Sequence, residues 1–149
     1  MEKKIKIDYV KYNKEQACEK IIKFLKKLFP DINKERWIWE YRKNPEYKGI
    51  VWVAKCKDKI LAHYAFILGN YNHDSKVYKI AKAEGSLANI KEIIKLPKKQ
   101  RRVFKKLVNY ALHDLERNDV DFIYGFPNKQ AIKSQVEAGY IKKDIPIYL

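Results

Sequence analysis

A helix followed at once by a strand constrains this chain more than any other feature in it. From Leu96 to Asn128 it reads LPKKQRRVFKKLVNYALHDLERNDVDFIYGFPN. Val103, Phe104, Leu107, Val108, Ala111, Leu112 and Leu115 recur at helical spacing. That spacing predicts an amphipathic helix starting just after Pro97, with one stripe against a core and Lys106, Asn109, His113 and Arg117 facing elsewhere. Asn118-Asp119 breaks it. Val120, Phe122, Tyr124 and Phe126 then alternate with Asp121, Ile123 and Gly125, the pattern of a buried strand ending in Pro-Asn. Six of the nine residues from Lys98 to Lys106 are basic. They crowd the helix N-terminus, where free N–H groups and the positive end of the macrodipole already attract anions, and the pattern reads as a phosphate site.

The rest of the chain is placed around this unit. Ile5, Ile7 and Tyr9 alternate with charged residues and predict a first strand at a sheet edge. Asn13 with Gln16 three residues on makes a capping box for a helix whose apolar face is Ala17, Ile21, Phe24, Leu25 and Leu28, closed by Phe29-Pro30. Asn33 caps a second helix, Lys34 to Arg42, stopped before Asn44-Pro45, with a stripe of Trp37, Ile38 and Tyr41. From Gly49 the period becomes two. IVWVAKC, a turn at Lys57-Asp58-Lys59, and ILAHYAFIL predict a hairpin, and a turn over Asn70 to Ser75 leads to a third strand, VYKIAKAEGSL. Ala88 to Lys95 stays open between a prolonged strand, a helical turn and a surface crossing. Asn128 caps a last helix with Ala131, Ile132 and Val136, ended by Gly139. IKKDIPIYL closes the chain as an edge strand bearing Pro146.

A helix crossing between parallel strands, attached to an antiparallel meander, predicts an α/β (α+β) fold. Its sheet is mixed and mostly antiparallel, with helices on both faces. Residues 1–149 form one domain by length, with 46% hydrophobic residues to fill a core. No stretch approaches the roughly 20 apolar residues of a membrane span. Cys18 and Cys56 stand far apart without a Cys-x-x-Cys pair, which points away from a disulfide framework and toward a reducing, cytoplasmic setting. His63, His73 and His113 are scattered, and no metal site is expected. His63 reads as a hydrogen-bonded core residue, and Trp37, Trp39 and Trp52 as packing residues, with Trp39 and Tyr41 available to line a cleft. The formal net charge of +15 favours a polyanion or a phosphate-bearing cofactor. Biased composition or adaptation to heat accounts for the total equally well, but not for the clustering before Phe104.

WIWEYRKNP (Trp37 to Pro45), VWVAKCKDKILAHYAF (Val51 to Phe66) and VDFIYGFPNKQAIKSQVEAGY (Val120 to Tyr140), in this order of elements, resemble the GNAT superfamily of N-acetyltransferases over nearly the whole chain. The resemblance implies the GNAT fold, acetyl-CoA as co-substrate and an amine acceptor. It places the pyrophosphate of CoA at Lys99, Gln100, Arg101, Arg102, Val103 and Phe104, where the family carries Gln/Arg-x-x-Gly-x-Gly/Ala. Both glycines are missing here. Either arginine side chains bind phosphate by charge-assisted hydrogen bonds, or the added bulk closes the site. The resemblance also gives Asn128 a cofactor contact, beside its reading as a plain helix cap. Glu84 resembles the fourth-strand acid that takes a proton from the acceptor amine, directly or through water, beside its reading as a plain exposed strand residue. The position of the family's proton-donating Tyr is Gln135, so water or another Tyr such as Tyr124 would serve.

A rival reading keeps the scaffold without catalysis, with Lys98, Lys99, Arg101, Arg102, Lys105 and Lys106 on nucleic-acid phosphates. Family members carry one more strand than is seen here, so either a partner supplies it in a homodimer or the sheet is shorter.

Overall fold

The computed structural model describes residues 5–12, 18–46, 48–117 and 119–144. The elements are β1 (Asp8–Tyr12), α1 (Cys18–Leu28), α2 (Lys34–Ile38), β2 (Lys48–Cys56), β3 (Lys59–His73), β4 (Lys76–Ala88), α3 (Ile90–Ile93), α4 (Val103–Glu116), β5 (Phe122–Gly125) and α5 (Lys129–Glu137). A π-helical turn, Trp39–Lys43, extends α2 without a break. The strands form one sheet in the order β1-β2-β3-β4-β5. β1 to β4 pair antiparallel, and β5 joins β4 in parallel after α4 has crossed over. This is the mixed sheet that the sequence predicts.

Strand alternation sends successive side chains to opposite faces, and both faces are covered. Trp52, Tyr64, Phe66, Ala81 and Ala83 pack with Val103, Leu107, Val108, Ala111 and Leu115 of α4. Val51, Val53 and Ala65 pack with Ile21 and Leu25 of α1 and with Trp37 and Tyr41. Leu107 and Leu25 are essentially fully buried, a gain of about 1.5–3 kcal/mol for each such side chain over leaving it in water. Gly49 lies so close to Tyr41 that an added Cβ would stand 2.5 Å from the Tyr41 Cα, which lets the π-helical turn rest directly on β2.

Several boundaries differ from the sequence reading. The hairpin strands run longer, and the turn shrinks to Asp74 and Ser75, both at positive φ. The polar residues Asn70 and Asn72 belong to the strand, because both sides of the projecting hairpin meet solvent. Ile5 and Ile7 precede the β1 ladder, although the strand does take the edge. Asn89 caps α3, so the open segment after Ala88 is a helical turn.

β5 is not a buried strand. Ile123 and Gly125 stand opposite Ala81 and Ala83 on the α4 face, which turns Phe122 and Tyr124 to the other face, 44% and 36% exposed. Trp39 is likewise exposed rather than packed. Ile141–Asp144 form no strand, and 145–149, with the expected capping pair Asn13 and Gln16, lie outside the described residues.

Candidate active site

β4 and β5 pair only over Ile80–Ala83 and Phe122–Gly125. A Cβ on Gly125 would come within 2.9 Å of the Ala83 Cβ, so a side chain there would wedge apart the last rung. Beyond that rung the strands part. β4 continues from Glu84 to Ala88 with no ladder partner on that edge among the described residues, while the chain after Gly125 turns through Phe126 and Pro127 into α5. The gap is a cavity of about 270 Å³, lined by Ser86, Leu87 and Ala88 of β4, Phe104 of α4, and Asn128, Ala131 and Ser134 at α5. Unpaired strand edges offer main-chain N–H and C=O groups to an extended ligand. Asn128 caps α5 by accepting from the N–H groups of Gln130 and Ala131 at 3.1 and 2.9 Å.

The basic turn lies at the α4 end of this gap, and it is built differently from the sequence reading. The helix does not start after Pro97. Lys98–Gln100 form a 3-10 turn, and α4 begins at Val103. The cause is long-range. The Gln100 side chain accepts from the Ile5 N–H at 3.0 Å and donates to the Ile5 C=O at 2.6 Å, tying the turn to the N-terminal segment. Arg101 Nε donates to the Leu96 carbonyl at 2.9 Å. Val103 is buried in the core, and Phe104 packs edge-on to Tyr64 with ring centroids 5.8 Å apart. Lys105 pairs with Glu137 of α5 at 3.1 Å. Lys99 and Arg102 are exposed, and no side chain caps the first N–H groups of α4.

A second cavity, of about 410 Å³, opens on the other side of β4, under α2. Leu87 lines both cavities. Glu84 lies here and pairs with Lys82 along the strand. Facing them, Arg36 donates from Nε to Glu40 at 2.8 Å, one helical turn apart. Asn33 holds the start of α2 by accepting from the Arg36 N–H at 2.7 Å. Tyr41 lines the wall, and burial pushes its hydroxyl well above the ordinary tyrosine range.

His63 lies beneath this cavity, 1% exposed, with Nδ1 at 2.7 Å from the Gly85 carbonyl. Burial lowers its pKa from 6.5 to about 4, so the ring is neutral at pH 7 and Nδ1–H donates to that carbonyl. Gly85 has φ +56, and a Cβ there would meet His63 Cε1 at 2.9 Å, so a glycine allows the contact. His63 is the hydrogen-bonded core residue expected, but on one nitrogen only. Nε2 has no partner among the described residues, and neither has Trp37 Nε1.

At the position expected for a proton-donating Tyr, Gln135 is buried and sends its Nε2 toward Tyr64 OH at 3.5 Å and Ser86 Oγ at 3.4 Å. Tyr64 OH lies 2.9 Å from Tyr140 OH, and burial pushes the Tyr140 hydroxyl up to about 12. Tyr124, the other tyrosine considered, sits on the opposite face of the sheet beside Lys82.

The structure thus brings Phe104 and Asn128 to the first cavity and Glu84 to the second, and turns Gln100 and Val103 inward. The sequence reading missed Arg36, Glu40 and Lys82. An i,i+4 charge pair behind a capping Asn, and two opposite charges at i,i+2 on a strand, were the available signals.

No protein-family model matches the sequence, and no curated protein matches it. Solved structures do. The glucosamine-6-phosphate N-acetyltransferase of Arabidopsis thaliana superposes with a TM-score of 0.67 at 14% identity, covering 95% of this chain and 97% of that one. A predicted acetyltransferase of Clostridium acetobutylicum, solved with acetyl-CoA, gives 0.68 at 11%, covering 97% and 96%. An aminoglycoside acetyltransferase from an uncultured soil metagenomic sample gives 0.69 at 12%, covering 97% and 93%. The chain has the fold of the GNAT-type acetyltransferases.

Proposed function

We propose that this chain is an acyl-CoA-dependent N-acyltransferase, with acetyl-CoA as the acyl donor. One observation carries the reading: the parting of β4 and β5 opens a cleft that shares Leu87 as a wall with a second, charged cavity. Two substrates entering from opposite sides of one strand would meet there. Bringing them together is itself a large part of catalysis in a direct transfer.

The first cavity suits a pantetheine arm. Its walls are apolar at Phe104 and Ala131, and the unpaired edge of β4 supplies amide partners along its length. The uncapped N–H groups of α4, with Arg102 and Lys99, would take the phosphates. Gln100 and Arg101 contribute to the shape of the turn instead, since both side chains are engaged with main chain. Asn128 orients α5 along the cleft.

In the transfer, the acceptor nitrogen attacks the thioester carbonyl, the C–N bond forms, and the C–S bond breaks with its electron pair leaving on sulfur. Main-chain N–H groups of the free β4 edge would stabilise the oxyanion that develops. Glu84 takes the proton from the amine, directly or through water, and a proton reaches the thiolate from solvent.

Isothermal titration of acetyl-CoA into the purified protein tests this. We expect binding that Arg102→Ala weakens about tenfold, in keeping with the loss of charge-assisted hydrogen bonds worth about 1.5–3 kcal/mol. Absence of CoA binding at low salt would remove the enzyme reading.

A further inference from the structure

The cavity under α2 has a charge pattern unlike the rest of the molecule. The chain carries a net charge of +15. Yet this cavity is lined by three carboxylates, those of Asp31, Glu40 and Glu84, against two cations, Arg36 and Lys82. The surplus of acid disfavours a polyanion here and favours a ligand that brings an ammonium group. The cations stand at its rim. Arg36 uses only Nε on Glu40, which leaves the forked end of its guanidinium to a second anion.

The wall repeats the same duality without charge. Trp37 is 4% exposed and His63 1%, and both line the cavity. Trp37 Nε1 is a donor with no acceptor, and His63 Nε2 is an acceptor with no donor, among the described residues. Leaving such atoms unpaired costs about 1–3 kcal/mol each. A bound group that offers one acceptor and one donor would satisfy both.

We infer that this cavity binds a small amphoteric amine, one that carries a primary amino group and a single anionic group, carboxylate or phosphate. Glu84 and Glu40 take the amine and Arg36 the anion, with His63 Nε2 and Trp37 Nε1 the atoms of the same wall that remain to be bonded. A cavity of about 410 Å³ admits a metabolite-sized molecule and excludes a folded protein segment. The assignment rests on the transferase reading only in naming this molecule the acceptor; the binding itself is independent of catalysis.

The test is isothermal titration of the purified protein with the common α-amino acids and with phosphoethanolamine, which separates carboxylate from phosphate. The compound that binds is then compared with its N-acetyl and, for an amino acid, its amide derivative, and with spermidine. We expect one amphoteric compound to bind and each blocked derivative to bind about tenfold more weakly, the loss of one charged partner. Arg36→Gln should weaken the amphoteric compound and leave its amide unchanged, and Arg36→Lys should recover part of the loss. Arg36 is a surface side chain, so these variants keep the fold. Binding by no member of the panel, or spermidine or the amide binding as tightly as the amphoteric compound, overturns the inference. Acetyl-CoA titrated separately keeps the two readings apart. A chain that binds the amphoteric compound but not CoA loses the enzyme and retains the pocket, and the reverse outcome retains the enzyme and rejects the pocket.

Discussion

The two sides of the sheet are packed to different standards. Under α4, Trp52, Tyr64, Phe66, Leu107 and Leu115 make an apolar layer whose polar atoms are all answered: Trp52 Nε1 donates to Asp114 at 3.2 Å, and Tyr64 OH meets Tyr140 OH. Under α1 and α2 the layer is also buried, yet Trp37 Nε1, Arg42 Nε and His63 Nε2 stay unpaired among the described residues. A side built only for stability would not keep such atoms. The contrast separates a face whose buried polar atoms are paired within the chain from one on which three, among the described residues, are not.

The sharpest way to break that contrast is to damage each side in turn. Leu107→Ala removes a fully buried side chain from the α4 layer and should lower stability by about 3 kcal/mol, read from the urea midpoint. An effect below about 1 kcal/mol would mean that the α4 layer is looser than its burial implies.

pH acts on the other side. His63 has a folded pKa of about 4 against an ordinary 6.5, so the unfolded chain takes up a proton first as the solution is acidified. Its contribution is intact above pH 6.5 and is lost progressively as pH falls to about 4, by about 3 kcal/mol in total. His63→Gln should flatten the dependence in this window. Glu92, held at about 2 by hydrogen bonds and charge from Lys59 and Lys95, acts in the same direction but at lower pH, below 4.5. A stability curve unchanged between pH 7 and 5 in the parent protein would contradict the burial of His63.

Two smaller effects sharpen the comparison. Asn128→Ala deletes the cap of α5 and should cost about 1 kcal/mol, since the side chain satisfies two N–H groups. Trp37→Phe, by contrast, removes an unanswered N–H and should leave stability within about 1 kcal/mol of the parent. A large loss on Trp37→Phe would show that its N–H is bonded in solution.

Much of the frame was legible because it depends on neighbours in sequence. The period-two run from Ile50 to Leu68, the α4 stripe and the Asn33 cap all state local preferences, and each appears where it was read. What failed depends on distant partners. The 3-10 turn before α4 exists because Gln100 finds the main chain of Ile5, 95 residues away. The period of β5 is visible in the alternation of Phe122 and Tyr124, but which face a helix covers is not, and the large aromatics turned out on the open one. Of the residues lining the two cavities, Glu84 and Asn128 were singled out from sequence. The free nitrogen of His63 could not be, since it follows from Gly85 offering its carbonyl to the other nitrogen across the β3–β4 ladder.

The parallel seam between β4 and β5 also bears on the order of assembly. The hairpins of β2, β3 and β4 close across turns of a few residues, but Asp121 meets Lys79 across 42 residues, through both its main-chain N–H and its carboxylate. The β1–β2 pairing is as distant in sequence, so both edge seams close longer loops than the hairpins and cost more chain entropy before any contact rewards it. The β4–β5 seam is short, lies at an edge, and ends where the strands part. The amides of Ile123 to Gly125 are therefore expected to exchange with solvent sooner than those of Val51 to Val53. The cleft then stands beside one of the two edge seams of the sheet, where local opening is expected to come more easily than in its centre.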